Sequence, residues 1–68
     1  MEGIKTAREA AGLNQSELAR KIGVTPAAVN LMELNGRYPE AARLPAIADA
    51  LDTSIDALFG REKQEGRT

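Results

Sequence analysis

Cysteine and histidine are both missing from this 68-residue sequence. Without cysteine the chain can form no disulfide, no thiolate zinc site and no thiol nucleophile. Without histidine it lacks the commonest general base and the commonest metal ligand. The sequence also contains no recognisable nucleophile–base pair and no phosphate-binding loop. We therefore expect a protein that is not an enzyme and that needs neither a metal nor a cofactor.

Long apolar runs are absent as well. None reaches the roughly 18 residues that a membrane-spanning helix needs, and the N-terminus has no signal-peptide core. A chain of this length forms one small domain and leaves little room for a deep catalytic cavity. We expect a cytoplasmic protein.

The sequence has little net charge, because nine basic and ten acidic residues give a formal charge of −1. The balance differs along the chain: residues 1–37 carry five basic and four acidic side chains, whereas residues 38–68 carry four and six. If the chain binds a polyanion, the first half must provide the contacts.

Helical periodicity is the main signal in what the sequence does contain, since no window shows the alternation of a strand. Apolar residues recur at helical spacing and are interrupted by N-cap residues, prolines and glycines. These signals predict helices over about 2–11, 14–22, 25–34, 43–51 and 54–59. The first helix places Ile4, Ala7, Ala10 and Ala11 at helical spacing. Residues 61–68 are all polar and are expected to be disordered.

The second and third predicted helices, over about residues 15–34, are joined by a tight turn through Gly23. Two helices joined by a short turn containing glycine are typical of a helix-turn-helix. In that motif the first helix crosses the DNA backbone and the second, over about 26–34, enters the major groove. Helical hairpins of this kind are common, so the spacing alone leaves other uses open.

Three stretches also resemble a known family. They are Gly12-Leu13-Asn14-Gln15-Ser16-Glu17-Leu18-Ala19-Arg20-Lys21-Ile22-Gly23-Val24-Thr25, Leu44-Pro45-Ala46-Ile47-Ala48-Asp49-Ala50-Leu51 and Ser54-Ile55-Asp56-Ala57-Leu58-Phe59. They resemble the phage-repressor (XRE or Cro) type of helix-turn-helix domain over about residues 4–60. The resemblance implies an all-α, compact five-helix fold like that of lambda repressor, with DNA binding, dimerisation and transcriptional control.

The resemblance and the helix positions together suggest which residues contact DNA. Gln15, at the start of helix 2, is expected to bind a phosphate. Asn30 is expected to pair with an adenine edge. The full set of candidate DNA-binding residues is Asn14, Gln15, Ser16, Thr25, Pro26, Ala27, Ala28, Asn30, Arg37 and Arg43.

Arg8 and Glu33 have a separate role in this interpretation. The resemblance places an arginine of helix 1 opposite the glutamate that ends helix 3, where the two form a structural ion pair. Two departures from the family pattern are visible. The recognition helix has few long polar side chains, and two residues rather than one separate Glu33 from Gly36.

Two function classes remain open. The leading hypothesis is a sequence-specific, double-stranded-DNA-binding transcriptional regulator, with repression as the expected mode. It would act as a homodimer through Ile55, Leu58 and Phe59. The alternative is a helix-turn-helix fold used as a protein-interaction or antitoxin-like module with weak or no DNA binding. The net negative charge and the alanine-rich recognition helix favour this alternative.

Overall fold

A computed structural model describes residues 1–34 and 36–60. Within these residues the chain forms five α-helices, with one 3₁₀ turn before the fourth. The helices are α1 (Glu2–Ala10), α2 (Gln15–Ile22), α3 (Pro26–Glu33), α4 (Leu44–Ala50) and α5 (Ile55–Leu58), and the turn is Ala41–Arg43. The expected all-α, five-helix fold is confirmed. The tail over residues 61–68 lies outside the described residues, so its expected disorder stays a prediction.

Short-range signals in the sequence set the helix ends. Asn14 caps α2 and forms a capping box with Glu17, in which each side chain accepts from the other residue's backbone N–H at 2.8 Å. Thr25 caps α3 through Ala28 N at 3.1 Å. Gly23 ends α2 with a φ of 77°, a left-handed conformation that glycine adopts without strain. The predicted starts of α2 and α3 and the predicted end of α2 are confirmed, whereas α3 ends at Glu33, just before the expected stop.

The core lies where the five helices meet. α1 packs on α3 and α5, α2 packs on α3 and α4, and α4 packs on α5. Aliphatic and methionine side chains fill the centre, as the scarcity of aromatic residues requires. The buried hydrophobic residues are Met1, Ile4, Leu18, Ala19, Val29, Met32, Ile47, Ala48, Leu51 and Leu58.

Ala10 and Ala11 lie at helical spacing with Ile4 and Ala7, yet both are exposed. On the same helix Arg8 is buried, because its carboxylate partner Glu33 lies inside the protein. One expectation about a buried residue was wrong. Leu58 was expected to contact a second copy of the chain. It is fully buried in the core and cannot line such a surface.

α1 and α5 approach each other closely at Gly3. A Cβ atom on residue 3 would lie 1.9 Å from the carbonyl oxygen of Leu58, far inside any normal contact distance. The backbones therefore touch without an intervening side chain. Beside this contact the rings of Tyr38 and Phe59 stack with centroids 6.3 Å apart, and both rings are partly exposed.

The N-terminal ammonium group is tied to the end of α3. It donates to the carbonyl oxygens of Met32 at 2.8 Å and Leu34 at 2.6 Å, and also to that of Arg37. A positive charge near the last carbonyls of a helix is favourable, because those groups carry the negative end of the helix dipole. None of the described helices is long and apolar enough to cross a membrane.

Candidate nucleic-acid interface

The α2–α3 hairpin presents one face of α3 outward. Val29, Met32 and Glu33 are buried, so they hold α3 against the rest of the protein. The opposite face carries Ala27, Asn30 and Leu31 at i, i+3 and i+4 spacing, and Leu34 follows at the C-cap in an extended conformation. All four residues are exposed. This exposed set is called the α3 outer face below.

Arg8 and Glu33 form a buried ion pair that fixes α3 against α1. Arg8 Nε donates to Glu33 Oε2 at 2.6 Å, and Arg8 Nη2 donates to Glu33 Oε1 at 3.2 Å. Arg8 Nη1 donates to the carbonyl oxygen of Leu13 at 2.8 Å. The hydrogen bond to Glu33 raises the pKa of Arg8 above its ordinary value, so the guanidinium stays charged. The bidentate arrangement holds both side chains in one orientation.

Gln15 connects this pair to the α3 outer face. Its Nε2 donates to Glu33 Oε1 at 3.1 Å and to Asn30 Oδ1 at 3.2 Å. The side chain was expected to reach a phosphate, but here it crosses to α3 and is partly buried. A continuous series of hydrogen bonds thus runs from Arg8 in the interior to Asn30 at the surface. It brings the first residue of α2 beside the α3 outer face.

The other candidate residues of α2 and α3 cluster at the two helix N-termini. Asn14 and Thr25 are the caps, and Ser16 is exposed in the first turn of α2. Pro26 and Ala27 are exposed at the start of α3, whereas Ala28 is half-buried. Each cap satisfies a backbone N–H three residues ahead. The earlier first-turn N–H groups have no partner within a helix and are suited to an anion.

Two arginines follow α3 along the chain. Arg37 is exposed in the connector after α3, and its carbonyl oxygen accepts from the N-terminal ammonium group. Arg43 is exposed in the 3₁₀ turn before α4, where its Nε lies 3.6 Å from Glu40 Oε1. Since that pair is exposed and only loosely formed, it leaves the guanidinium able to bind another anion.

Sequence reasoning missed the Gln15–Asn30 contact. The two residues are fifteen positions apart, and only the packing of α2 on α3 brings them together. Two amides can pair as donor and acceptor, but the residue types give no indication that the fold brings these two together.

Comparisons with known proteins agree with this geometry. A family model described as helix-turn-helix matches residues 4–58. A relative from Bacillus subtilis (strain 168), the uncharacterized HTH-type transcriptional regulator YqaE, is 36% identical over 64 residues. The alignment covers 94% of this chain but 55% of that protein, so the chain spans about half of the relative's length. No solved structure matches significantly. The family match extends over most of the chain, and the chain therefore belongs to the XRE-type helix-turn-helix family.

Proposed function

We propose that the chain is a sequence-specific, double-stranded-DNA-binding transcriptional regulator that inserts α3 into the major groove. One observation carries the proposal. The hydrogen bond between Gln15 and Asn30 sets the start of α2 beside an exposed face of α3. In a helix-turn-helix this arrangement lets one helix contact the backbone while the next reaches base edges. Family membership and the name of the Bacillus subtilis relative support the same function.

Phosphate contacts would come mainly from the two helix N-termini. Asn14 satisfies the N–H of Glu17, which leaves the N–H groups of Gln15 and Ser16 for a phosphate oxygen. At α3, Pro26 has no N–H and Thr25 satisfies Ala28, so the N–H of Ala27 is the available donor. Such contacts position the protein without reading sequence.

Arg37 and Arg43 would supply the positive charge that a protein of net charge −1 must concentrate on one side. Both are exposed and both follow α3 along the chain. Each phosphate they neutralise would release counterions and make binding depend on salt. Ala27 and Leu31 would contact thymine methyl groups in the major groove, since such apolar contacts suit the C5-methyl of thymine.

The functional unit would be a symmetric dimer. One domain this small reads few base pairs, and two copies related by a two-fold axis place their recognition helices about 34 Å apart, one turn of DNA. The exposed side chains of Ile55 and Phe59 are available for that contact, with Tyr38 beside Phe59. If it bound over a promoter, such a dimer would repress transcription by excluding other proteins from that DNA. Sedimentation of the protein with and without DNA tests the dimer, and a strict monomer in both cases would refute it.

A salt titration tests the proposal as a whole. Binding of the full chain to random-sequence duplexes should be weak and should fall steeply as salt rises. Arg37→Ala should lower affinity for specific and random DNA by similar factors and reduce the salt slope by about one. Lys21→Ala removes the same charge from the exposed end of α2 and serves as the matched control, with little effect expected. Absence of salt-dependent binding would refute the proposal.

A second candidate function is a protein-interaction or antitoxin-like module. The observation that favours it is the exposure of two leucines on the α3 outer face, 51% for Leu31 and 45% for Leu34. Exposed apolar side chains on one helix face can dock on another protein. This candidate gains support if the chain binds no duplex at low salt.

A further inference from the structure

The series of hydrogen bonds from Arg8 to Asn30 fixes the orientation of the side-chain amides of Gln15 and Asn30. The nitrogen and oxygen of a glutamine or asparagine amide have nearly the same shape, so their assignment depends on the partners. Here one partner decides. Both carboxylate oxygens of Glu33 accept hydrogen bonds from Arg8, so Glu33 presents acceptors to its neighbours. Gln15 must therefore turn its Nε2 toward Glu33, 3.1 Å away, because its oxygen there would meet another acceptor.

Gln15 constrains Asn30 in the same way. The Nε2 group of Gln15 carries two hydrogens, and the second one is directed at Asn30. Asn30 accepts this hydrogen bond through Oδ1, which lies 3.2 Å from the Gln15 nitrogen. The Nδ2 group of Asn30 is at the other end of the same amide, and the residue is exposed on the α3 outer face. The protein thus turns the donor end of this amide outward, while Oδ1 is directed at Gln15 with one lone pair engaged there.

The bases differ in what they offer to such a donor. Adenine presents an acceptor at N7 and a donor at N6, so an asparagine reads it with both ends of its amide. Guanine presents two acceptors, N7 and O6, and needs donors only. We propose that the Gln15 contact makes Asn30 select guanine over adenine at the base pair it reads. This inference rests on the proposed function, and it replaces the adenine contact expected from the sequence.

Base preference, rather than affinity, is the readout that tests the inference. A selection from randomised duplexes with the wild-type chain identifies preferred sequences. Repeating it with Asn30→Ala identifies the base pair that depends on Asn30. Dissociation constants are then measured for the four duplexes that differ only there. The wild type should favour guanine over adenine by about tenfold.

Two variants then change the polarity of the amide. Gln15→Leu removes the donor that occupies Oδ1, so Asn30 should bind adenine and guanine with affinities within about twofold of each other. Asn30→Asp presents an acceptor instead of a donor and should shift the preference toward cytosine, whose N4 is a donor. Lys21→Ala is the control that should leave the ranking of the four duplexes unchanged. Thermal unfolding followed by circular dichroism verifies that each variant is folded.

The outcomes separate this inference from the proposed function. If the wild type selects adenine, or if no base pair depends on Asn30, the inference is wrong while DNA binding stands. It is also wrong if Gln15→Leu lowers all four affinities alike, since a purely structural or phosphate-binding role predicts that result. If Gln15→Leu does not fold, the inference is tested by the ranking of the four duplexes obtained with Asn30→Asp, which should favour cytosine. If the wild type binds no duplex at low salt, the proposed function and this inference fall together.

Discussion

The α2–α3 contact and the α1–α5 contact hold helices together in different ways. Between α2 and α3 the link includes directed hydrogen bonds, in which Gln15 donates to Asn30 and to Glu33. Between α1 and α5 the link is an approach of backbone to backbone at Gly3, with stacked aromatic rings beside it. The first contact constrains the orientation of side chains, and the second constrains the distance between helices.

The difference indicates where each kind of contact is useful. Reading a base edge requires donors and acceptors in a fixed order, so a surface that reads DNA needs hydrogen bonds that set that order. Stability requires close packing, which backbone contact also provides. We therefore expect changes at α1–α5 to alter mainly the free energy of unfolding. Changes at α2–α3 should alter DNA binding as well.

The largest effect is expected at the backbone contact. Gly3→Ala should destabilise the protein by about 3 kcal/mol, because its Cβ would meet the Leu58 carbonyl oxygen and force α5 away from α1. Helix propensity alone predicts the opposite sign, with alanine better than glycine by about 1 kcal/mol. Urea unfolding measures the difference. Thr6→Ala, an exposed position on the same helix, is the control and should stay within about 0.5 kcal/mol of wild type. A Gly3→Ala protein as stable as wild type would contradict the close approach.

The buried ion pair should show the next largest effect. Arg8→Ala should cost about 1–3 kcal/mol, because it leaves the Glu33 carboxylate buried without its charged partner. A double-mutant cycle with Glu33→Gln should reveal coupling between the two positions. Lys5→Ala, an exposed cation on the same helix, is the control. Coupling near zero would show that the pair adds nothing to stability.

The pH dependence of this pair follows from the direction of the pKa shift. Hydrogen bonding to Glu33 raises the pKa of Arg8 in the folded state above its ordinary value. A group of this kind contributes stability that is fully present below its unfolded-state pKa and is lost only as pH rises through the folded-state value. Both values are strongly alkaline. The difference in unfolding free energy between the wild type and Arg8→Ala should therefore persist from neutral to mildly alkaline pH, because Arg8 of the wild type stays protonated over this range.

The smallest effects are expected at the helix caps, which offer a matched pair across the two regions. Asn14→Ala and Ser54→Ala each remove one side-chain acceptor from a backbone N–H, at 2.8 Å in α2 and 3.0 Å in α5. Asn14→Ala should cost about 1 kcal/mol and Ser54→Ala about 0.5 kcal/mol, since only Asn14 belongs to a capping box. DNA affinity at equal folded fraction should fall for Asn14→Ala alone. Equal losses of affinity for both variants would show that the cap of α2 has no special role in DNA binding.

The helix ends could be predicted from the sequence because their causes are local. Asn14, Thr25 and Gly23 act on backbone groups within a few residues, so their types and spacing suffice. Pro45 likewise fixed the start of α4, since proline is tolerated only in the first turn. The resemblance to a family placed Arg8 opposite Glu33, and the structure brings these side chains into contact.

The rest depends on contacts between distant parts of the chain. Periodicity placed Ala10 and Ala11 at helical spacing with Ile4 and Ala7 but does not show that both are exposed. Arg8 on the same helix is buried because it pairs with a residue 25 positions away. The close approach at Gly3 and the burial of Leu58 depend on where α5 docks, which no local pattern reveals. The contacts of Gln15 with Asn30 and Glu33 also depend on how α2 packs on α3.

The close approach at Gly3 has a consequence for the mutational landscape of this chain. Where two side chains meet, volume can change by one methylene at a time, and tolerance falls in steps. Where a Cα meets a carbonyl oxygen, the first added carbon already lies 1.9 Å from that oxygen. A library randomised at position 3 should therefore divide sharply into glycine and everything else. One randomised at position 7, a partly buried alanine on the same helix, should instead give a graded series of stabilities.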